Sequence, residues 1–256
     1  MMLRIRLIAY LMLLSLGWAT DALPADALLT GKPGAQKSAP NDSEGPATRA
    51  ARESMVREQI EARGVKSPPV LAALRRVPRH EFVASRQFAS AYGDYPLPIG
   101  HGQTISQPYI VGLMTDLLRV EPTHTVLEIG TGSGYQAAVL AELAQHVVSI
   151  EIVAPLAQSA AARLEQLGYR NLTVIAGDGY FGWEKNAPYD SIIVTAAATH
   201  VPPPLIAQLK PGGRMAIPVG ETPWTQNLLL VEKDGAGKIS TRNVTAVHFV
   251  PLTRGR

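Results

Sequence analysis

The 256-residue chain contains no cysteine. That absence excludes disulfides, thiolate zinc sites and any mechanism with a cysteine nucleophile, and it leaves the compartment open. A charge excess of one sign is missing too: 24 Lys and Arg stand against 21 Asp and Glu, a net +3. The basic residues are scattered, with a cluster only at Arg75–Arg79, so the electrostatic footprint of a nucleic-acid binder is absent. No internal repeat is found, and no metal site is expected. The apolar run Leu7–Trp18 is too short to serve comfortably as a permanent bilayer span. What remains, 46% hydrophobic and 18% charged residues, is ordinary for a globular protein, and the length suits one sizeable α/β core.

The ends of the chain differ in character. Arg4 and Arg6 precede the apolar run, and small residues including Gly17, Ala19, Ala25 and Ala27 follow it, so residues 1–27 read as a signal-like or anchor-like segment. Residues 28–48, rich in Ala, Pro, Gly and Ser, read as a disordered linker with too little apolar surface to offset ordering entropy. Order is expected from Arg49, giving one domain over 49–256. Helical spacing through Met55 and Ile60 predicts a helix over Ala50–Arg63 ending at Gly64. A second helix is predicted over Pro68–Val77, and a loop over Tyr92–Gln103.

Strands and helices then alternate. Helices are expected at Gln107–Leu118, Gly134–Ala144, Ala154–Leu167 and around Pro204–Leu209. Strands are expected at Thr125–Ile129, His146–Ile150, Leu172–Ala176, Tyr189–Thr195 and Arg214–Val219, with late strands at Asn227–Glu232 and Val244–Val250. The pattern predicts an α/β fold: a doubly wound, mostly parallel seven-stranded sheet with an antiparallel edge and extra N-terminal helices.

Glu128-Ile129-Gly130-Thr131-Gly132-Ser133-Gly134 marks a strand turning into a helix. Glycine there lets a backbone approach a ligand, and ligands of open parallel sheets bind beyond the strands' carboxyl ends. A dinucleotide fingerprint would need glycine where Tyr135 stands, and the Gly-Lys-Ser or Gly-Lys-Thr of a phosphate loop is missing. Glu128 would repel a pyrophosphate and favour a cation. S-adenosylmethionine, with an ammonium, a sulfonium and no phosphate, meets those conditions. Glu151 ends the next strand about twenty residues on, the spacing for ribose hydroxyls, and Asp178-Gly179 ends the third, placed for an adenine amino group. Each alone is ordinary: a tight turn, or a solvated strand-end carboxylate. Together they make a cofactor site.

The chain resembles the bacterial protein-L-isoaspartate O-methyltransferase family over most of Arg52–Thr253. The carriers are GQTISQPYIVGLMTDLL (Gly102–Leu118), VLEIGTGSGY, VIAGDGYFGW, APYDSIIVTAAA, LKPGGRMAIPVG and VPLT. TISQP with VPLT is specific to the family, whereas the glycine motif and LKPGG are widely shared. The resemblance implies a Rossmann-like methyltransferase domain and methyl transfer from S-adenosyl-L-methionine to the α-carboxylate of L-isoaspartyl residues in damaged proteins and peptides, with S-adenosyl-L-homocysteine as product. By residue matching it implies Ser106 as catalytic and substrate-binding residue and Thr253 as substrate-binding. Thr104, Ile105, Glu128, Gly130, Gly132, Ser133, Glu151, Ile152, Asp178 and Gly179 then fall to the cofactor.

An isoaspartyl carboxylate is ionised at neutral pH and needs no general base. Ser106 is therefore read as a hydroxyl that positions the acceptor, against the plainer reading that it N-caps the helix at Gln107. The rival functions are a methyltransferase acting on RNA or a small molecule, and a non-catalytic nucleoside-binding module. Thr195-Ala196-Ala197-Ala198 stands where amino-nitrogen nucleic-acid enzymes carry Asn/Asp-Pro-Pro-aromatic. We expect a monomer without a nucleic-acid partner or a stable membrane span. Cofactor supply favours the cytoplasm, and the N-terminal segment offers the periplasm as the alternative.

Overall fold

A computed structural model of the protein describes residues 45–255. The signal-like segment and most of the linker lie outside them. Helix α1 (Pro46–Ser54) starts ahead of the boundary expected at Arg49, with proline at its first position, where a missing N–H costs nothing. The helical path continues through a π-helical turn, Met55–Ile60, and a tighter turn, Glu61–Arg63, and stops at Gly64 with φ +100°. Helix α2 spans Pro68–Arg76.

The expected loop Tyr92–Gln103 holds a small antiparallel hairpin, β1 (Leu97–Gly100) with β2 (Gln103–Ile105). Its strands are too short, and too interrupted by proline, to show a period. The hairpin is closed by Gly100, His101 and Gly102, all at positive φ. Helix α3 (Pro108–Leu118) follows.

The main sheet joins β3 (Thr125–Ile129), β4 (His146–Glu151), β5 (Leu172–Ala176), β6 (Tyr189–Val194), β7 (Leu209–Val219), β8 (Asn227–Lys233) and β9 (Ile239–Ala246). Their order is β5-β4-β3-β6-β7-β8-β9, parallel from β5 to β7 and antiparallel beyond. This is the predicted doubly wound sheet with its antiparallel edge. Helices α4 (Tyr135–Ala141), α5 (Ala154–Gln166) and α6 (Pro203–Gln208) complete the elements.

Burial on both faces explains the continuous apolar strands. Val126, Val147 and Val174 join one buried cluster with Met55, Leu74 and Met114, while Leu127, Val148 and Ile175 join another with Leu205 and Ile217. Two strands differ from expectation. β7 begins at Leu209 and not Arg214, with an irregularity in its pairing to β6 that absorbs the glycines. The last strand lies at Ile239–Ala246 and not Val244–Val250, because its register is set by the preceding turn: Asp234 Oδ1 accepts from the N–H groups of Ala236 and Lys238. Its largely exposed, polar residues carry no apolar signal.

The sheet reverses direction of growth between β3 and β6. Beyond the carboxyl ends of those strands the chains diverge, and the crevice between them is where this architecture places a ligand.

Candidate functional site

The glycine turn leaves β3 and is fixed by backbone bonds from both neighbouring strands. Gly130 N donates to Ile150 O at 2.8 Å, and Thr195 N donates to Ile129 O at 2.9 Å. Thr195 Oγ1 also donates to Gly130 O at 2.6 Å. Gly130 has φ +98°, and a Cβ on it would stand 2.3 Å from Thr195 Oγ1. Only glycine fits, for conformation and space at once.

Three carboxyl groups were expected here, and their environments differ. Glu151, at the end of β4, is buried; Oε2 accepts from Gly132 N at 2.8 Å and Oε1 from Val153 N at 2.9 Å. Each oxygen keeps a second lone pair for a ligand, and the side chain faces the cleft. Glu128 does not reach the cleft. It is fully buried opposite Ser149 of β4, whose hydroxyl donates to Oε2 at 2.5 Å, while Oε1 has no partner. Loss of solvation pushes its pKa up to about 8 despite that hydrogen bond, with Glu151 adding to the rise. At neutral pH the group is mostly protonated, so the repulsion of phosphate expected from Glu128 falls to Glu151.

Asp178 lies beside a neighbouring, mostly apolar cavity with Ile150, Ile175 and Trp183. Its Oδ1 accepts from Tyr180 N, and its Oδ2 accepts from Arg254 Nε at 3.0 Å and Gly255 N at 2.9 Å. Partial burial would raise its pKa, but those N–H groups and the guanidinium together hold it below the usual carboxylate range. The Arg254 guanidinium also lies 3.7 Å from the centre of the Tyr180 ring.

The opposite wall comes from the hairpin and the C-terminal strap. Thr104, Ile105 and Ser106 run from β2 toward α3 along the cleft. The cap of α3 is Gln107, whose side chain makes no capping bond, so Ser106 is not the N-cap. Proline at the first helical position makes a side-chain cap dispensable. The Ser106 hydroxyl has no hydrogen-bond partner among the described residues, while its carbonyl accepts from Arg79 Nη2 at 2.8 Å. The strap is pinned across the end of β6: Ala197 N donates to Val250 O and Leu252 N to Ala197 O, both at 2.8 Å. This brings Thr253 to the cleft.

These elements together line one cleft, open to solvent on one side. Of the expected residues, Thr104, Ile105, Ser106, Gly130, Gly132, Ser133, Glu151, Ile152, Gly179 and Thr253 all line it; Glu128 lies beneath it and Asp178 beside it. Thr195, Ala196 and Gln136 line it as well and were not singled out. Thr195 was recoverable as a small polar residue at a strand end on the switch point. Gln136 was not, because its place depends on a bond from Nε2 to Thr115 of α3.

Asp190, near the start of β6, stands apart from the cleft. It accepts from Thr125 N and pairs with Lys210 at 2.7 Å. Among the described residues no group of three or more His, Cys, Asp or Glu could hold a metal.

The lining decides what fits. Its only charged side chain is Glu151, and it contains no Lys or Arg. A pyrophosphate would meet no counter-charge there, whereas S-adenosyl-L-methionine offers hydroxyl donors and positive charge to a buried carboxylate. The residues therefore fit that cofactor.

The sequence and the fold have relatives. The family model for protein-L-isoaspartate(D-aspartate) O-methyltransferase matches residues 50–256. A protein-L-isoaspartate O-methyltransferase 2 of Polaromonas sp. (strain JS666) is 64% identical over 187 residues, 73% of this chain and 89% of the relative. Its counterpart in Syntrophobacter fumaroxidans is 58% identical over 215 residues, 80% of this chain and 87% of the relative. Among solved structures, a protein-L-isoaspartate O-methyltransferase superposes with TM-score 0.72 at 30% identity, over 79% of this chain and 66% of that one. A Plasmodium falciparum beta-aspartate methyltransferase (PCMT) in complex with S-adenosyl-L-homocysteine gives 0.69 at 25%, over 80% and 99%.

Proposed function

Because the chain belongs to the protein-L-isoaspartate(D-aspartate) O-methyltransferase family, we propose that the cleft between the glycine turn and Ser106 carries out methyl transfer to the α-carboxylate of L-isoaspartyl residues. The observation that carries this reading is a pocket with one buried carboxylate and no base on the cofactor side, facing a serine hydroxyl without a protein partner.

Bound in the cleft, S-adenosyl-L-methionine supplies an electrophilic methyl group on a sulfonium leaving group. Glu151 is assigned to the ribose hydroxyls, using the lone pairs left free by Gly132 and Val153. Gly130, Gly132 and Ser133 provide the close backbone approach, with Thr104, Ile105, Ile152 and Gly179 as walls. Asp178 is assigned to the adenine side, in exchange for its contact with Arg254.

On the acceptor side the substrate arrives as a carboxylate and needs no proton removed. Ser106 donates a hydrogen bond to one carboxylate oxygen and leaves the other aimed at the methyl carbon, with Thr253 bordering the same space. The protein's contribution is alignment of nucleophile and leaving group and exclusion of water. Ser106 is not read as a covalent nucleophile: among the described residues no histidine or acid contacts its hydroxyl.

Among the described residues no helix is long and apolar enough to cross a membrane. We place the reaction in the cytoplasm, where the cofactor is made, acting as a monomer without nucleic acid and with the catalytic domain at 49–256. Fractionation with N-terminal sequencing tests this, and a periplasmic chain starting after Ala19 or Ala27 overturns it. The activity is tested with labelled S-adenosyl-L-methionine and paired isoaspartyl and aspartyl peptides. Base-labile methyl ester is expected on the isoaspartyl peptide alone; equal label on both, or label in RNA, refutes the assignment.

A further inference from the structure

Arg79 is the largest of the wholly buried side chains, 0% exposed. It opens the short turn Arg79–Phe82 after α2. Its Nε donates to Ala91 O at 2.8 Å and its Nη2 to Ser106 O at 2.8 Å. No carboxylate pairs with it among the described residues. Asp94 influences it through space, but the Asp94 carboxylate is paired with Arg63 at 2.6 Å. The guanidinium carbon lies 4.9 Å from the centre of the Tyr135 ring. Burial holds the Tyr135 phenol neutral, its pKa pushed up to about 12, so its ring meets the cation as a π face.

A buried arginine with no acid beside it is expensive, and an apolar side chain of similar volume serves packing at least as well. What sets this one apart is where its two ends reach. Ser106 and Tyr135 both line the cleft, one on the acceptor side, the other directly after the glycine turn. The planar fork can hold a carbonyl with one edge while its face rests on a ring, which a lysine ammonium cannot reproduce. Resting on the function proposed above, we propose that Arg79 is a positioning residue for methyl transfer: it fixes the Ser106 main chain, and hence the acceptor hydroxyl, in register with the glycine turn through Tyr135. Arg79 touches neither substrate nor cofactor; it acts through the residues that do.

The test uses the full chain and four variants: Arg79→Met, Arg79→Lys, Ser106→Ala and Ser106→Ala with Arg79→Lys. Activity of the unaltered protein on the isoaspartyl peptide decides the functional reading by itself. Positioning is decided by the ratios between variants and by S-adenosyl-L-homocysteine affinity from calorimetry, with Tm as the check on folding. Arg79→Met roughly keeps the volume and is expected to fold, with Tm lowered because the Ala91 and Ser106 carbonyls lose their donor. Its kcat/KM on the peptide is expected to fall at least ~10-fold while product affinity stays within ~3-fold. Arg79→Lys should recover only part of the loss, and in the Ser106→Ala background it should change kcat/KM less than ~2-fold, because no hydroxyl remains to be placed. Full activity in a folded Arg79→Met refutes the proposal. So does a loss in which product affinity falls together with kcat. If Arg79→Met does not fold, the Arg79→Lys pair decides: equal losses with and without the Ser106 hydroxyl overturn the inference.

Discussion

The two walls of the cleft are built by different means. On the cofactor side, the turn after β3 hangs from backbone bonds to β4 and β6, and its one charged residue ends a strand. On the acceptor side, Ser106 is held by a buried arginine from a distant turn, and Thr253 by a strap laid across Ala197. Sheet geometry dictates the first wall. Tertiary contacts between remote segments assemble the second. A site on strand ends inherits the rigidity of the sheet, whereas one on connecting segments needs its own supports.

Mutations on the two walls should separate these supports. The largest effect is expected on the sheet-built side. Gly130→Ala forces positive φ on a residue with a Cβ and drives that atom into Thr195, a combined cost of about 2–4 kcal/mol. Thermal melts should show that loss, and calorimetry should show cofactor binding lost with it; a stable variant with normal affinity would break the comparison. Ser106→Ala removes one hydrogen bond to a charged group, worth about 1.5–3 kcal/mol. Turnover on the isoaspartyl peptide should drop roughly 10- to 100-fold with cofactor affinity preserved. A large loss of affinity would move Ser106 to the other wall.

Glu128 supplies a pH signature for the sheet-built side. Its folded pKa of about 8 lies above the ordinary 4.5. The folded state therefore holds the proton more tightly. The group's contribution is complete below pH 4.5 and is lost as pH rises to about 8, with a slope of at most ~1.4 kcal/mol per pH unit. Denaturant titrations of the parent and of Glu128→Gln should diverge across that window, the variant losing less stability. Parallel curves would show that the carboxyl is not perturbed. The smallest effect belongs to the strap. Arg254→Ala breaks a half-exposed ion pair, worth under about 1 kcal/mol, and by freeing Asp178 should tighten S-adenosyl-L-homocysteine binding by about 2- to 5-fold. Weaker binding would make Arg254 a cofactor contact.

Legibility from sequence follows the same division. β3, β5 and the cofactor turn were readable because buried parallel strands leave apolar runs and strand-end ligands sit at regular spacing. Ser106 is recognised by likeness to a family, and the plainer role weighed against it, the N-cap, belongs to Gln107. Glu128 was misplaced because alternation along β3, which turns it under the sheet beside Ser149, outweighs its nearness to the glycines in sequence. The hairpin β1–β2 and the edge strand β9 were missed or shifted since glycine turns and an Asx turn, and not apolar period, set them. Arg79 sat within a basic cluster that reads as surface charge. Nothing local distinguishes it from Arg76, which is exposed and paired with Glu142.

The Thr195 lock on the glycine turn also bears on how the protein folds. The turn's local sequence is complete by Tyr135, yet half of the bonds that fix it come from Thr195, after β4, α5, β5 and β6 have intervened. Contacts between such distant segments form only once the intervening loop has closed. Helix α4 and strands β3 to β5 can therefore pair while the turn is anchored on the β4 side alone, and the cleft takes shape only as β6 docks against β3. Ligand binding then reports on completed topology, which makes cofactor-dependent protection of the turn's amides from hydrogen exchange a marker for the last stage of folding.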